Sequence, residues 1–207
     1  ICCIFVVVNL QKGQRIDLTK GNAGLSRLQV GLGWDPVEQK KSGGLLGGLF
    51  GGGGGASVDC DASVIMLQND RLVNQEDVVY FGRKASIDGS VKHSGDNLTG
   101  EGAGDDETIF IDLNAVPTQY NKLVFVVNIY EAKKRNQDFG MIQNAYIRVL
   151  NPANNEELLR YNLTDNYGGQ TALITGEIYR NGNEWKFGAI GTGTTDDGLS
   201  GVINRYR

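Results

Sequence analysis

The chain has 207 residues, 40% of them hydrophobic, and a formal net charge of −4. That length buries one substantial core, so we expect one domain over residues 8–207. The acidic balance and scattered Lys and Arg exclude a phosphate-backbone grip on nucleic acid, and three cysteines without a Cys-x-x-Cys pair exclude a disulfide framework or a zinc site and fit a reducing cytoplasm.

The first eight residues, Ile-Cys-Cys-Ile-Phe-Val-Val-Val, are apolar but too short to span a bilayer, and no basic leader or small-residue cleavage site marks a signal peptide. We take Val8-Asn9-Leu10 as the start of the domain and residues 1–7 as an apolar segment outside it. Because the chain does not begin with Met, that segment need not be native; a lipidated Cys2-Cys3 pair is the alternative. A strand is expected at Arg27–Gly33. Lys40-Lys41, like Lys133-Lys134-Arg135 further on, reads as solvated surface, with a phospholipid or partner contact as the alternative.

Ser42 to Ala56 is a Gly-rich, low-complexity insert, expected to be a surface loop. Its Leu45, Leu46, Leu49 and Phe50 give the alternative of a segment that dips into a membrane surface or a partner groove. It is not a phosphate-binding loop, because no Gly-Lys-Ser/Thr closes it. The next strand, Val58–Gln68, opens on Asp59-Cys60-Asp61. Period-two alternation sends both carboxylates to one face and Cys60, with Ala62 and Val64, to the other.

After a strand at Asp77–Phe81, Asp96 to Glu107 places five carboxylates and three glycines in twelve residues, and no Lys or Arg occurs from His93 through Asn121. Packing these acids without a counter-ion costs several kcal/mol, on the order of a few close like-charge pairs. Asp96, Asn97, Glu101, Asp105, Asp106 and Glu107 offer side-chain oxygens, and Thr99 a hydroxyl or its carbonyl. Calcium takes six to eight oxygen ligands in irregular geometry, whereas magnesium needs stricter octahedral geometry and fewer protein ligands. More ligands than one ion needs point to two neighbouring Ca2+ ions, with Asp59 and Asp61 as the other half of the site. The spacing is not that of an EF-hand.

Further strands are expected at Thr108–Leu113, Lys122–Glu131, Ala145–Leu150, Glu157–Leu163, Ala172–Tyr179 and Glu184–Ile190, with a tight hairpin at Asn181-Gly182 between the last two. Leu123, Phe125, Val127 and Ile129 point one way and Val124 and Val126 the other, so the Lys122 strand is central and buried on both faces. Short helices fall only at Ala132–Gln137 and near Leu199–Tyr206. Nine short strands without amphipathic crossover helices make the fold class mostly β, a two-sheet β-sandwich.

An enzyme is not expected. The sole histidine, His93, has no nucleophile-elbow or zinc spacing around it and reads as a loop or strand-edge residue. The Asp105-Asp106 pair leaves a carboxylate-dependent hydrolase as a third reading, poorly served because adjacent residues on a Gly-rich loop hold no fixed separation.

Asn9-Leu10-Gln11-Lys12-Gly13, Val30-Gly31-Leu32-Gly33-Trp34-Asp35, Asp59-Cys60-Asp61-Ala62-Ser63, His93 through Gly102 and Gly104-Asp105-Asp106-Glu107 together resemble the TerD family of tellurite-resistance and stress-response proteins. Phe139-Gly140, Asn144 to Arg148, Gly176 to Arg180 and Glu184 to Phe187 extend the resemblance to the chain's end, and the Gly-rich insert with Asp-Cys-Asp points to its TerZ-like branch. The resemblance implies a β-sandwich that binds calcium, usually at two adjacent sites, in bacterial cytoplasm. It implies a link to tellurite, chemical stress, phage and colicin resistance, with other tellurite-resistance proteins or the inner-membrane surface as partners. The ligands it implies are Asp59, Asp61, Asp96, Asn97, Thr99, Glu101, Asp105, Asp106 and Glu107, with Asp138 in addition. A calcium-switched adaptor for membrane or protein is the second function it allows. No flavin or nicotinamide motif supports a reductase.

Overall fold

A computed structural model of the protein describes residues 7–22, 24–37, 58–95 and 104–207. These residues form two six-stranded sheets packed face to face, the expected sandwich. The first sheet holds, in spatial order, Val8–Leu10 (β1), Glu156–Asn162 (β10), Ile142–Asn151 (β9), Arg27–Pro36 (β3), Glu107–Asp112 (β7) and Val91–His93 (β6). The second holds Arg15–Asp17 (β2), Glu184–Thr194 (β12), Ala172–Asn181 (β11), Lys122–Ile129 (β8), Cys60–Leu67 (β4) and Val78–Val79 (β5). Neighbours pair antiparallel except β1 with β10.

Strand β8 shows why the sheets stack as they do. Leu123, Phe125, Val127 and Ile129 enter the core between the sheets, where they meet Leu28, Val30, Leu32 and Ile147. Val124 and Val126 enter a second core on the outer face, with Ile65, Leu67 and the Val202 and Ile203 of helix α2 (Gly198–Ile203). Each fully buried side chain of this size contributes about 1.5–3 kcal/mol, so burying both faces fixes β8 at the centre. Between β11 and β12 the chain turns through Gly182-Asn183, one residue beyond the expected position, with Asn181 opposite Glu184. Gly182 takes φ +66 at the first central position, as a type II′ turn requires.

The segment expected as a strand at Asp77–Phe81 is shortened. Gln75–Asp77 form a 3-10 turn, and the Tyr120 hydroxyl donates to the buried Asp77 carboxylate at 2.6 Å, so that only Val78 and Val79 remain to pair with β4. Strands β1, β2 and β6 were not expected; each has three residues, too few for alternation to register. The basic run falls in helix α1 (Ala132–Arg135), where Lys133, Lys134 and Arg135 pair with Asp197, Glu131 and Asp59. No helix among the described residues is long and apolar enough to cross a membrane. Lys40-Lys41, Cys2-Cys3 and the Gly-rich insert lie outside the described residues.

One feature of the topology positions the acids. Strand β5 pairs only with Val64 and Ile65, so among the described residues no strand lies beside the edge of β4 before Val64. Edge strand β6 and its neighbour β7 bring side chains there instead.

Candidate metal centre

Strand alternation turns the odd residues of β7 inward, so Glu107 points with Ile109 and Ile111 into the space between the sheets. Its Oε2 accepts a hydrogen bond from the backbone N–H of Ala62, on the bare edge of β4. His93 comes from β6 to the same place. Gly95 N–H donates to its Nδ1 at 3.0 Å, which leaves Nε2 as the protonated nitrogen, and this donates to Ala62 O at 3.1 Å and Glu107 Oε2 at 3.2 Å. The two side chains thus do for Ala62 what a paired strand would do. Both are fully buried, and Glu107 Oε1 has no hydrogen-bond partner. An ionised carboxylate oxygen left so in an apolar interior is costly unless a cation or donor reaches it.

Asp106 lies one residue earlier, where its Oδ2 accepts from the backbone N–H of Trp34 at 2.7 Å. Burial, then the charges of Asp35, Asp105 and Glu107, push its carboxyl above the ordinary value of 3.8 despite that hydrogen bond. Its ionised form is held against electrostatic pressure that a cation would relieve. Asp35 is itself held by Asn144, whose Nδ2 donates to it at 2.8 Å.

Asp105 is oriented differently. It lies flat on the outer face of the first sheet across Gly31, where a built Cβ would stand 2.0 Å from its carboxylate oxygen. Only glycine leaves room there. Arg148 on β9 grips the carboxylate through two hydrogen bonds, Nε at 2.7 Å and Nη2 at 3.1 Å, and the Tyr146 hydroxyl donates at 3.0 Å. Burial and the Asp105 charge push the Tyr146 phenol up to about 12. Arg148 also binds Glu157, which shares Arg160, so the acid belongs to a chain of fixed charges. The absence of nearby Lys or Arg in the sequence did not mean absence of neutralisation, because the arginine arrives from a strand forty residues on.

Asp59 and Asp61 do face the same way, with Cys60 and Ala62 turned into the core as expected. Asp59 pairs with Arg135 at 3.4 Å. Asp61 lies on the outer face of the second sheet opposite Asn128, whose Nδ2 stands 3.4 Å from its Oδ2. The backbone of β4 therefore separates Asp61 from Glu107. The acids still sense a common point: burial, then Asp61, Asp59, Glu107 and Asp106, push the Cys60 thiol well above its ordinary range. Asp138 caps a 3-10 turn (Phe139–Met141) by accepting from Gly140 N–H at 2.6 Å. Asp96, Asn97, Thr99 and Glu101 lie outside the described residues. Among the described residues no three His, Cys, Asp or Glu side chains gather as a ready metal cage.

Sequence reasoning missed Arg148, Glu107's contact with Ala62, and Asp35. The register that sets Arg148 opposite Gly31 on the neighbouring strand makes the first of these contacts, and no local sequence signal marks it. A groove of about 1000 Å3, beside Arg27, Phe110 and Asp112, lies at the opposite end of β7 from Glu107.

The TerD domain family matches residues 6–206. The chain is 60% identical over 201 residues to stress response protein SCP2 of Bacillus subtilis, covering 97% of this chain and all of that one. It is 41% identical to tellurium resistance protein TerZ and 40% identical to tellurium resistance protein TerD, both of Serratia marcescens, with 96% of this chain covered in each case and 98% and 96% of those proteins. A crystal structure of a homologue of telluride resistance protein TerD from Streptomyces coelicolor has the same fold, with a TM-score of 0.62 at 24% identity over 86% of this chain and 95% of that one.

Proposed function

The chain belongs to the TerD family, and from that premise we propose that it is a non-enzymatic calcium-binding module of the stress- and tellurite-resistance class. The observation that carries this reading is Asp106, a carboxylate whose charged form is disfavoured by burial and by Asp35, Asp105 and Glu107. A hard dication is the counter-charge such a place takes, and the carboxylates of Asp35, Asp106 and Glu107 offer it oxygen. The orphaned Oε1 of Glu107 supports it further.

Asp106 and Glu107 would hold the ion from the strand side. Asp96, Asn97, Thr99 and Glu101 supply the remaining oxygens, enough for the two ions expected. Asp105 and Asp138 are assigned other work, binding Arg148 and capping a turn, and Asp61 serves the far face of β4. Bound calcium would supply charge neutralisation at these carboxylates. The protein's own residues do the rest: Trp34 N–H orients Asp106, and Ala62 and His93 orient Glu107. Free calcium a hundredfold above its dissociation constant would stabilise the fold by about 2.7 kcal/mol.

Calorimetric titration of the metal-free protein with calcium tests this. Saturable binding of two equivalents, weakened at least tenfold by Asp106→Asn, is the expected result; no heat, or an unchanged affinity in the variant, would refute it. The family names support a role in resistance to tellurite and chemical stress, and the resemblance extends that to phage and colicins, in the cytoplasm near the inner membrane or other resistance proteins.

A further inference from the structure

On the outer face of the second sheet, a cleft of about 430 Å3 opens between β4, β8, the chain from Gln75 to Arg83 and the start of α2. The volume falls within the range of small-molecule sites, about 300–1,000 Å3. Its floor is polar where the adjoining part of that face, around Ile65 and Val126, is apolar. Ser63 on β4 is 0% exposed and Asn128 on β8 is 4% exposed, yet Ser63 Oγ and Asn128 Oδ1 have no hydrogen-bond partner. The core residues beside them, Ile65 and Val126, show what the same face carries where nothing needs recognition.

We propose that this cleft binds a small organic cation, an ammonium or guanidinium compound with a flat apolar body. Asn128 Oδ1 accepts only, Ser63 Oγ accepts or donates, and Asp61 lies beside them with its carboxylate 3.4 Å from Asn128 Nδ2. The floor therefore asks for N–H donors carrying positive charge. The walls suit the body of such a molecule: Tyr80 and Phe81 stand edge to face at 83°, with ring centres 5.5 Å apart, and Tyr130 closes the side. The Tyr130 ring already carries one guanidinium, that of Arg135, at 5.0 Å. Glu131 and Asp197 also line the cleft, each already ion-paired, with Lys134 and Lys133, so the carboxylate at the floor is that of Asp61, and the lone cation among its described residues, Arg83, donates to Gln75 O at 2.8 Å. The inference is independent of the calcium reading, because the cleft lies across β4 from Glu107.

The test is a titration of isotope-labelled protein with benzylammonium chloride, followed by amide NMR shifts, once with calcium and once in chelator. Saturable shifts confined to β4, β8 and Gln75–Arg83, equal in both conditions, are expected. Ser63→Ala and Asn128→Leu should each weaken binding about tenfold or more. Ser63→Ala should leave thermal stability unchanged or raised, since it removes a hydroxyl without a partner. Absence of saturable shifts, wild-type affinity in both variants, or equal binding of neutral benzyl alcohol would overturn the proposal. Calcium displacing benzylammonium from these residues would also overturn it, making the cleft a divalent-ion site.

Discussion

Asp105 and Asp106 are neighbours in one acidic run and have opposite electrostatic fates. Asp105 has a fixed guanidinium with two hydrogen bonds, and its side chain is only 6% exposed. Asp106 has its proton affinity raised, first by burial and then by the carboxylates of Asp35, Asp105 and Glu107. The step between them decides which acid meets the guanidinium: Asp105 lies across Gly31 beside Arg148, while Asp106 turns to the Trp34 N–H. The one left under pressure is the one suited to a metal.

Breaking the neutralised side should cost most. Arg148→Met leaves Asp105 and Glu157 without their shared cation, and urea unfolding should show a loss of about 2–4 kcal/mol, because removing one partner of a buried pair strands the other. Adding Asp105→Asn should recover part of that loss, with a coupling of at least about 1 kcal/mol. Gly31→Ala drives a methyl into the Asp105 carboxylate and should cost about 1–3 kcal/mol by overpacking. Neither change should abolish calcium binding, since both act on the outer face.

The pressed side behaves in reverse. A carboxyl whose folded pKa is raised contributes stability that is present at low pH and lost as pH rises through the carboxylate range, from about 3.8 upward. Asp106→Asn removes that loss while its amide oxygen can still accept from Trp34 N–H. In chelator, the variant should therefore melt at or above the wild type, with a difference that grows with pH above that range. The smallest effect belongs to Lys12 and Asp165, paired at 2.7 Å with about half of each side chain exposed; Lys12→Met should change stability by about 0.5 kcal/mol or less.

The sandwich was legible because β8, β4 and β11 carry alternation long enough to declare two buried faces, and the Asp59-Cys60-Asp61 facing followed from the same rule. The acidic run raised the expectation of a cation but did not reveal how its carboxylates are placed. Local sequence cannot tell that Arg148, on a distant strand, takes Asp105, or that the bare edge of β4 takes Glu107. Those depend on the order of strands, with β6 and β7 closing against β4. His93 was read as a strand-edge residue, and it is one. Its bond to Ala62, however, needed the second sheet.

Thermal melting of the wild type and Asp106→Asn, each in calcium and in chelator, tests the central claim most directly. The wild-type midpoint should rise with calcium, and the variant should be no less stable in chelator but gain much less from calcium. A wild type whose midpoint is the same in both conditions, or a variant that gains as much as the wild type, would contradict it.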